Sequence, residues 1–211
     1  MTPHIIRAQD CAPQAWRNGG GQTRELLVWP PAGPAAPWQL RISRADIERD
    51  GPFSAFPGVQ RWFAVLEGAG VALQLESEQV LHAGDTPLCF DGAAAPGCRL
   101  LDGPTQDLNL MVRGGKGLMQ SVMPGQPWGA SLAACGLYTC HAGQWTDGTQ
   151  TLHLDAHTLL WHPCPRSASW QFVADDGTQA LRAYWLAFSP QSTTTGGLAL
   201  SLIHISEPTR L

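Results

Sequence analysis

RWFAVLEGAGVALQL, Arg61 to Leu75, consists of two short apolar runs broken by Glu-Gly-Ala-Gly. Runs of this length bounded by glycine read as strands, with the glycines supplying the turn. The pattern continues outward. Gln79–Phe90, QVLHAGDTPLCF, reads as a strand pair around a Gly-Asp turn, and Cys98–Arg113, CRLLDGPTQDLNLMVR, as strand, turn, strand. Upstream, TRELLVW (Thr23–Trp29) is strand-like. In WQLRISRADI (Trp38–Ile47), Trp38, Leu40 and Ile42 alternate with Gln39, Arg41 and Ser43. RDGPFSAFPGVQ, between them and Arg61, is a loop.

Beyond Arg113, GGKGLMQSVMPGQPWG (Gly114–Gly129) reads as a linker or long loop. Strands resume in LYTCHAG, TQTLHLDAHTLLWHP, SWQFVA and ALRAYWLAFS. The expected class is all-β, a two-lobed antiparallel architecture: an N-terminal lobe over 1–115 and a smaller lobe over 116–190. Residues 191–211 depart from this pattern. LSLIHISEPTRL resembles translated vector or adaptor sequence, so 191–211 is expected to be a non-native or disordered tail.

Composition narrows the function. The chain has 211 residues, 23 Gly, 17 Pro, 14% charged residues and a net charge of -4, with no Lys/Arg run. A basic stripe is the usual mark of nucleic-acid or anionic-membrane binding, so neither partner is expected. The N-terminus lacks the apolar run of a secretory signal, and no stretch reaches the roughly 20 apolar residues of a membrane span. The expectation is a cytoplasmic protein whose six cysteines are reduced thiols.

Two segments carry candidate binding chemistry. WRNGGGQTREL (Trp16–Leu26) has neither the Lys of a phosphate loop nor a helix after its glycines. It reads either as a turn using glycine's positive φ or as a small-anion site flanked by Asn18, Thr23, Arg24 and Glu25. In DLNLMVR, Asp107, Asn109, Met111 and Arg113 share one strand face, and Leu108, Leu110 and Val112 the other. The apolar triplet must face a core. The polar face is either solvated sheet or a pocket wall, with Arg113 as anion clamp, Asn109 as orienting amide and Asp107 holding an Arg in place. Arg41 shares a polar strand face with Ser43.

Catalytic and metal patterns fit poorly. Ser54 in GPFSAF is not in a Gly-x-Ser-x-Gly elbow, and it joins the ligand-binding candidates instead. Cys135, Cys140, His141, His162 and Cys164 include soft ligand types, but their spacing matches zinc sites loosely. His153 and His157 share a face if their strand is unbroken.

VLEG and AGD, as spaced here, resemble the cupin barrel pattern. Metal-dependent cupins place an H-x-H pair and a Glu ahead of the VLEG turn. Here the stretch before it, GPFSAFPGVQRWFA, contains no His, and Arg61 stands about where the metal-binding Glu would fall. A guanidinium repels a cation and offers a fork to a carboxylate. More specifically, WRNGGGQTREL, WQLRIS, GPFSAFPGVQRWF, VLEGAG and GPTQDLNLMVR, in this order, resemble the HutD/Ves family over roughly residues 3–190. That resemblance implies a cupin-like, two-lobed antiparallel barrel without established enzymatic activity. It also implies, for one branch, binding of a small acidic metabolite in histidine degradation and, for the other, a link to stress response. The family often shows RRG where this chain has VRGGKG, one Arg fewer.

The combined expectation is a metal-free, cofactor-free protein binding a small carboxylate, formyl-glutamate-like or urocanate-like by resemblance. Its ligand-binding candidates are Asn18, Thr23, Arg24, Glu25, Arg41, Ser54, Arg61, Asp107, Asn109 and Arg113. Two alternatives stay open: an isomerase or hydrolase using the same pocket, and an interaction module using exposed Trp.

Overall fold

A computed structural model describes residues 2–30, 37–163 and 169–191. Cys164 and, apart from Gln191, the tail lie outside the described residues. Strands number β1 to β18 along the chain and form four antiparallel sheets. The six-stranded sheet runs β2 (Pro13–Ala15), β3 (Gly21–Trp29), β4 (Leu40–Ile47), β11 (Thr105–Arg113), β6 (Val59–Glu67), β9 (Leu88–Asp91). The four-stranded sheet runs β5 (Gly51–Pro52), β10 (Gly97–Leu100), β7 (Val71–Gln74), β8 (Glu78–Leu81). The five-stranded sheet runs β1 (His4–Arg7), β16 (Thr158–Pro163), β13 (Ala134–Thr139), β18 (Ala183–Pro190), β12 (Gly115–Ser121), and the three-stranded sheet β15 (Thr151–Leu154), β14 (Gly143–Thr146), β17 (Gln171–Ala174). The all-β, antiparallel expectation is therefore met.

Period-two alternation distributes the apolar side chains among three clusters. On β11, Leu108, Leu110 and Val112 enter a cluster with Leu40, Ile42, Trp62 and Leu66 of the six-stranded sheet and Tyr138, Leu159, Trp161 and Leu186 of the five-stranded sheet. The two large sheets thus pack face to face. A second cluster, Phe53, Phe63, Val65, Val71, Leu73, Leu81 and Cys98, joins the six- and four-stranded sheets. A third, including Leu137, Leu160, Trp185, Trp145 and Phe172, joins the five- and three-stranded sheets. The resulting layer order is four, six, five, three.

The Glu-Gly-Ala-Gly turn carries the chain from one sheet to another, since β6 pairs with β11 and β9 while β7 pairs with β10 and β8. Its glycines are required twice over. Gly68 and Gly70 have φ of +92° and +112°, and a Cβ on either would lie 2.5 Å from Pro104 O or 2.2 Å from Leu81 O.

Two sequence expectations change, and the place of β1 adds a further finding. The supposed linker contains β12, paired with β18 from Gly115 to Ser121. A Cβ on Gly117 would come within 2.8 Å of the Trp62 ring, so glycine there reflects close packing and not flexibility. TQTLHLDAHTLLWHP is two strands, broken where His157 takes φ +54°. His153 meets Asp175 at 2.8 Å and His157 meets Glu67 at 3.3 Å, so the two imidazoles serve separate pairs. Finally, sheet membership does not follow a division at residue 115 throughout: β1 is an edge of the five-stranded sheet, with His4 opposite Trp161 and Arg7 opposite Thr158. Among the described residues no helix is long and apolar enough to cross a membrane.

Candidate functional site

The odd-numbered residues of β4, β11 and β6 point away from the five-stranded sheet. Some, such as Ile47, Phe63 and Val65, enter the apolar cluster under the four-stranded sheet. Most of the others are polar, and strand register sets them in rows with Met111 and Ala45. Arg41, Met111 and Arg61 stand side by side across three strands; next come Ser43, Asn109 and Phe63, then Ala45, Asp107 and Val65. This polar patch floors a cavity of about 410 Å³. That size lies within the roughly 300–1,000 Å³ typical of small-molecule sites. Its walls come from Gln14, Trp16, Arg17 and Asn18 around the β2–β3 turn and from Phe53, Ser54 and Phe56 in the loop after β5.

The glycines between β2 and β3 make the turn. Gly19 has φ +66°, Gly20 N–H donates to Asn18 Oδ1 at 3.0 Å, and Trp16 N–H donates to Gly21 O at 2.9 Å. A Cβ on Gly21 would sit 2.1 Å from Asp46 O, so β3 could not approach β4 there with any other residue. The turn reading accounts for the glycines themselves, while their neighbours Trp16, Arg17 and Asn18 face the cavity. Trp16 is held by its Nε1–H donating to Thr23 Oγ1 at 2.7 Å.

Arg61 is the principal charged group of the floor. It is only 8% exposed, yet forms none of the ion pairs among the described residues. Its guanidinium stands 4.3 Å from the Phe53 ring centre, 5.6 Å from that of Phe90 and 5.9 Å from that of Phe63. Its Nε–H donates to Asn109 Oδ1 at 2.8 Å, and Asn109 Nδ2 in turn donates to Asp107 Oδ1. Burial brings the Arg61 pKa down to about 10, with Asp107 opposing and Arg41 reinforcing that fall; the group stays charged at neutral pH. Asp107, 1% exposed, is pushed up to about 7 by burial, against the pull of Arg61 and of the Asn109 amide. Arg41 is fixed by Glu25, whose Oε1 accepts from its Nε at 2.7 Å. Three guanidiniums, Arg17, Arg41 and Arg61, thus face the cavity with one carboxyl. The lining offers no imidazole or thiol, a donor set suited to an anion and not to a transition metal.

Of the ten candidate residues, Asn18, Thr23, Arg41, Ser54, Arg61, Asp107 and Asn109 line this cavity. Asn109 orients Arg61 in place of a ligand, its amide being engaged at both ends. Glu25 acts one step back, through Arg41. Arg24 and Arg113 do not line the cavity. Arg24 alternates to the other side of β3 from Thr23 and donates to Cys11 O at 2.6 Å. Arg113 lies at the end of β11, donates to Pro57 O at 3.1 Å and stacks 5.3 Å from the Trp38 ring. Gln14, Trp16, Arg17, Phe53 and Phe56 were not among the candidates. Arg17 and Trp16 sit in the quoted WRNGGG motif, but only the hairpin shows that they fold over the floor. The loosely spaced soft ligands disperse. Cys135 lies in the cluster between the five- and three-stranded sheets, Cys140 in that between the two large sheets, and His162 Nδ1 meets Pro163 O.

Fold and cavity together define a cupin-type protein whose barrel interior carries guanidinium, amide and carboxyl groups. Oxalate decarboxylase from Lactobacillus farciminis shares the fold at a TM-score of 0.56 and 11% identity, over 90% of this chain and 87% of that one. More specifically, the chain belongs to the HutD family, whose sequence model matches residues 8–181. It is 34% identical over 159 residues to an uncharacterized 21.2 kDa protein in the hutC 3′ region of Pseudomonas putida, covering 74% of this chain and 70% of that one. It is 39% identical over 100 residues to protein Ves of Citrobacter koseri, covering 46% and 51%. Among solved structures, a conserved protein of unknown function from Pseudomonas aeruginosa PAO1 superposes with a TM-score of 0.79 at 27% identity, over 90% of this chain and all of that one. HutD from Pseudomonas fluorescens SBW25 does so at 0.75 and 24%, with the same coverage.

Proposed function

We propose that the protein binds a small carboxylate metabolite without a metal and acts by sensing or regulation, in histidine utilisation or a stress response, not by catalysis. The observation carrying this reading is Arg61: a buried, charged guanidinium on the floor of a 410 Å³ cavity, oriented by Asn109 and paired with no carboxylate of the described residues. A carboxylate entering the cavity supplies the missing counterion through charge-assisted hydrogen bonds. Arg41 and Arg17 add positive charge along the same walls. The relative encoded in the hutC 3′ region supports histidine utilisation as the setting; formyl-glutamate-like and urocanate-like compounds are the first candidates through the family resemblance. Titration calorimetry of metal-stripped protein with N-formylglutamate and urocanate tests the reading. Saturable binding is expected, weakened roughly 10- to 100-fold by Arg61→Ala, the loss of one charge-assisted bond at about 1.5–3 kcal/mol. Unchanged affinity in that variant overturns the assignment.

One observation favours an enzyme reading: Asp107, pushed up to about 7 in a cavity, has the acidity of a general acid or base. Turnover of either compound by the metal-stripped protein would establish it; binding without turnover is the expected result. For the interaction-module alternative, Trp16, Trp29, Trp38 and Trp128 are half-buried and the other five tryptophans are buried.

A further inference from the structure

We propose that the cavity takes up its carboxylate ligand together with a proton, and that Asp107 is the group that receives it. The inference rests on the carboxylate reading above and adds a proton linkage to it.

Asp107 stands on the same strand face as Asn109, one row further along the floor from the Arg41–Met111–Arg61 row. Its Oδ1 is held by the Asn109 amide, whose oxygen is in turn held by Arg61. The carboxyl is thus tied to the one buried guanidinium through a single amide and is in no ion pair of its own among the described residues. With the cavity empty, Arg61 is the nearest compensation for an ionised Asp107. A bound carboxylate claims that same positive charge and adds a negative one beside it. Two carboxylates sharing one guanidinium in a desolvated site cannot both remain ionised at little cost, and the buried one takes the proton.

The surroundings leave Asp107 as the group that titrates near neutrality. β6 presents Arg61 and β4 presents Arg41, while Arg44 and Asp46, paired at 3.2 Å, act more weakly on Asp107 from the opposite face of β4. β10 presents Cys98, whose thiol burial pushes up to about 12 with Asp107 and Asp50 acting in the same sense. Arg17 faces the cavity from the β2–β3 turn, and no histidine lines it. Asp107 itself sits at about 7 before any ligand arrives. An added anion moves that value up, so protons are absorbed on binding over the range just above neutrality, and affinity falls as pH rises there.

N-formylglutamate is the suitable probe, because its carboxylates, like free carboxyl groups generally, titrate below about pH 5. Calorimetry at pH 7.5 in buffers of different ionisation enthalpy is expected to show uptake of roughly 0.5–1 proton per ligand. Between pH 7 and 8.5 the dissociation constant should rise, approaching about tenfold per pH unit. Asp107→Asn, which keeps the shape and the contact with Asn109, should bind with no buffer dependence and a flat pH profile. Tight binding by the parent protein with no proton uptake overturns this inference alone, as does an Asp107→Asn variant with an unchanged pH slope. The buffer dependence of the parent protein needs no variant, so the test survives if the substitution disturbs folding. No binding of N-formylglutamate, urocanate or other small carboxylates by the parent protein would overturn the carboxylate reading and this one with it.

Discussion

The two outer sheets cover the two large ones in the same way, yet the enclosed spaces differ. Between the six- and four-stranded sheets the interior ends in a polar cavity floored by Arg61, Asp107, Asn109 and Arg41. Between the five- and three-stranded sheets the corresponding space is filled with indole. Trp128 stacks on Trp185 at 5.0 Å, Trp145 meets Trp170 edge-on at 5.0 Å, and Trp170 lies 6.1 Å from Trp185. The architecture decides neither outcome. Inward-facing side chains on otherwise similar strands do, and one half of the molecule consequently encloses a polar cavity and the other a packed core.

Removing the packing from the filled half should have the largest effect. Trp185, 1% exposed and in contact with two further indoles, should cost about 3–5 kcal/mol when replaced by Ala. A thermal or denaturant melt would read this, while the anion site on the far side of the large sheets should retain its ligand. A variant that melts like the parent would contradict the contrast.

The cavity half should respond in the opposite sense. Asp107 is raised in the fold to about 7 from an ordinary carboxylate value near ~3.9, so the folded state binds the proton more tightly than the unfolded one. Its contribution is greatest below about pH 4 and is lost as pH rises from there to about 7. Asp107→Asn removes that slope. Above pH 7 it should be more stable than the parent by something on the order of 2–4 kcal/mol, measured as the pH dependence of denaturation. A binding site that relinquishes stability for a charged interior behaves this way; a purely structural polar cluster would lose stability on the same change.

The smallest effect separates the two arginines that share a strand-face pattern. Arg113→Ala should leave carboxylate affinity within about twofold of the parent, because its guanidinium is engaged by Pro57 O and Trp38 outside the cavity. Loss of affinity comparable to Arg61→Ala would move the site toward the end of β11.

Much of this was legible in the chain. The alternation in DLNLMVR placed Leu108, Leu110 and Val112 in a core and Asp107, Asn109 and Met111 on one shared face, and Glu-Gly-Ala-Gly marked a true turn. What failed did so for physical reasons. Parity tells which residues share a face but not where a strand leaves the cavity, hence Arg113. Adjacent residues cannot both point inward, hence Arg24 against Thr23. Glycine in GGKG spelled a linker, when Gly117 in fact makes room for the Trp62 ring of the facing six-stranded sheet. The turn at His157 contains no glycine or proline to announce it. Trp16 and Arg17 reach the site only because a hairpin folds them over residues far along the chain.

The position of β1 bears on how this molecule can be divided. His4–Arg7 covers the edge of β16, more than 150 residues away in sequence and in the opposite half. A fragment beginning at residue 116 would therefore expose the bare backbone groups of β16 as a template for other chains, and self-association is its expected behaviour. A synthetic peptide bearing His4–Arg7, supplied in trans, should cap that edge. The chain's first strand acts as a clasp, joining the cavity half to the packed half through main-chain hydrogen bonds as well as through the greasy seam between them.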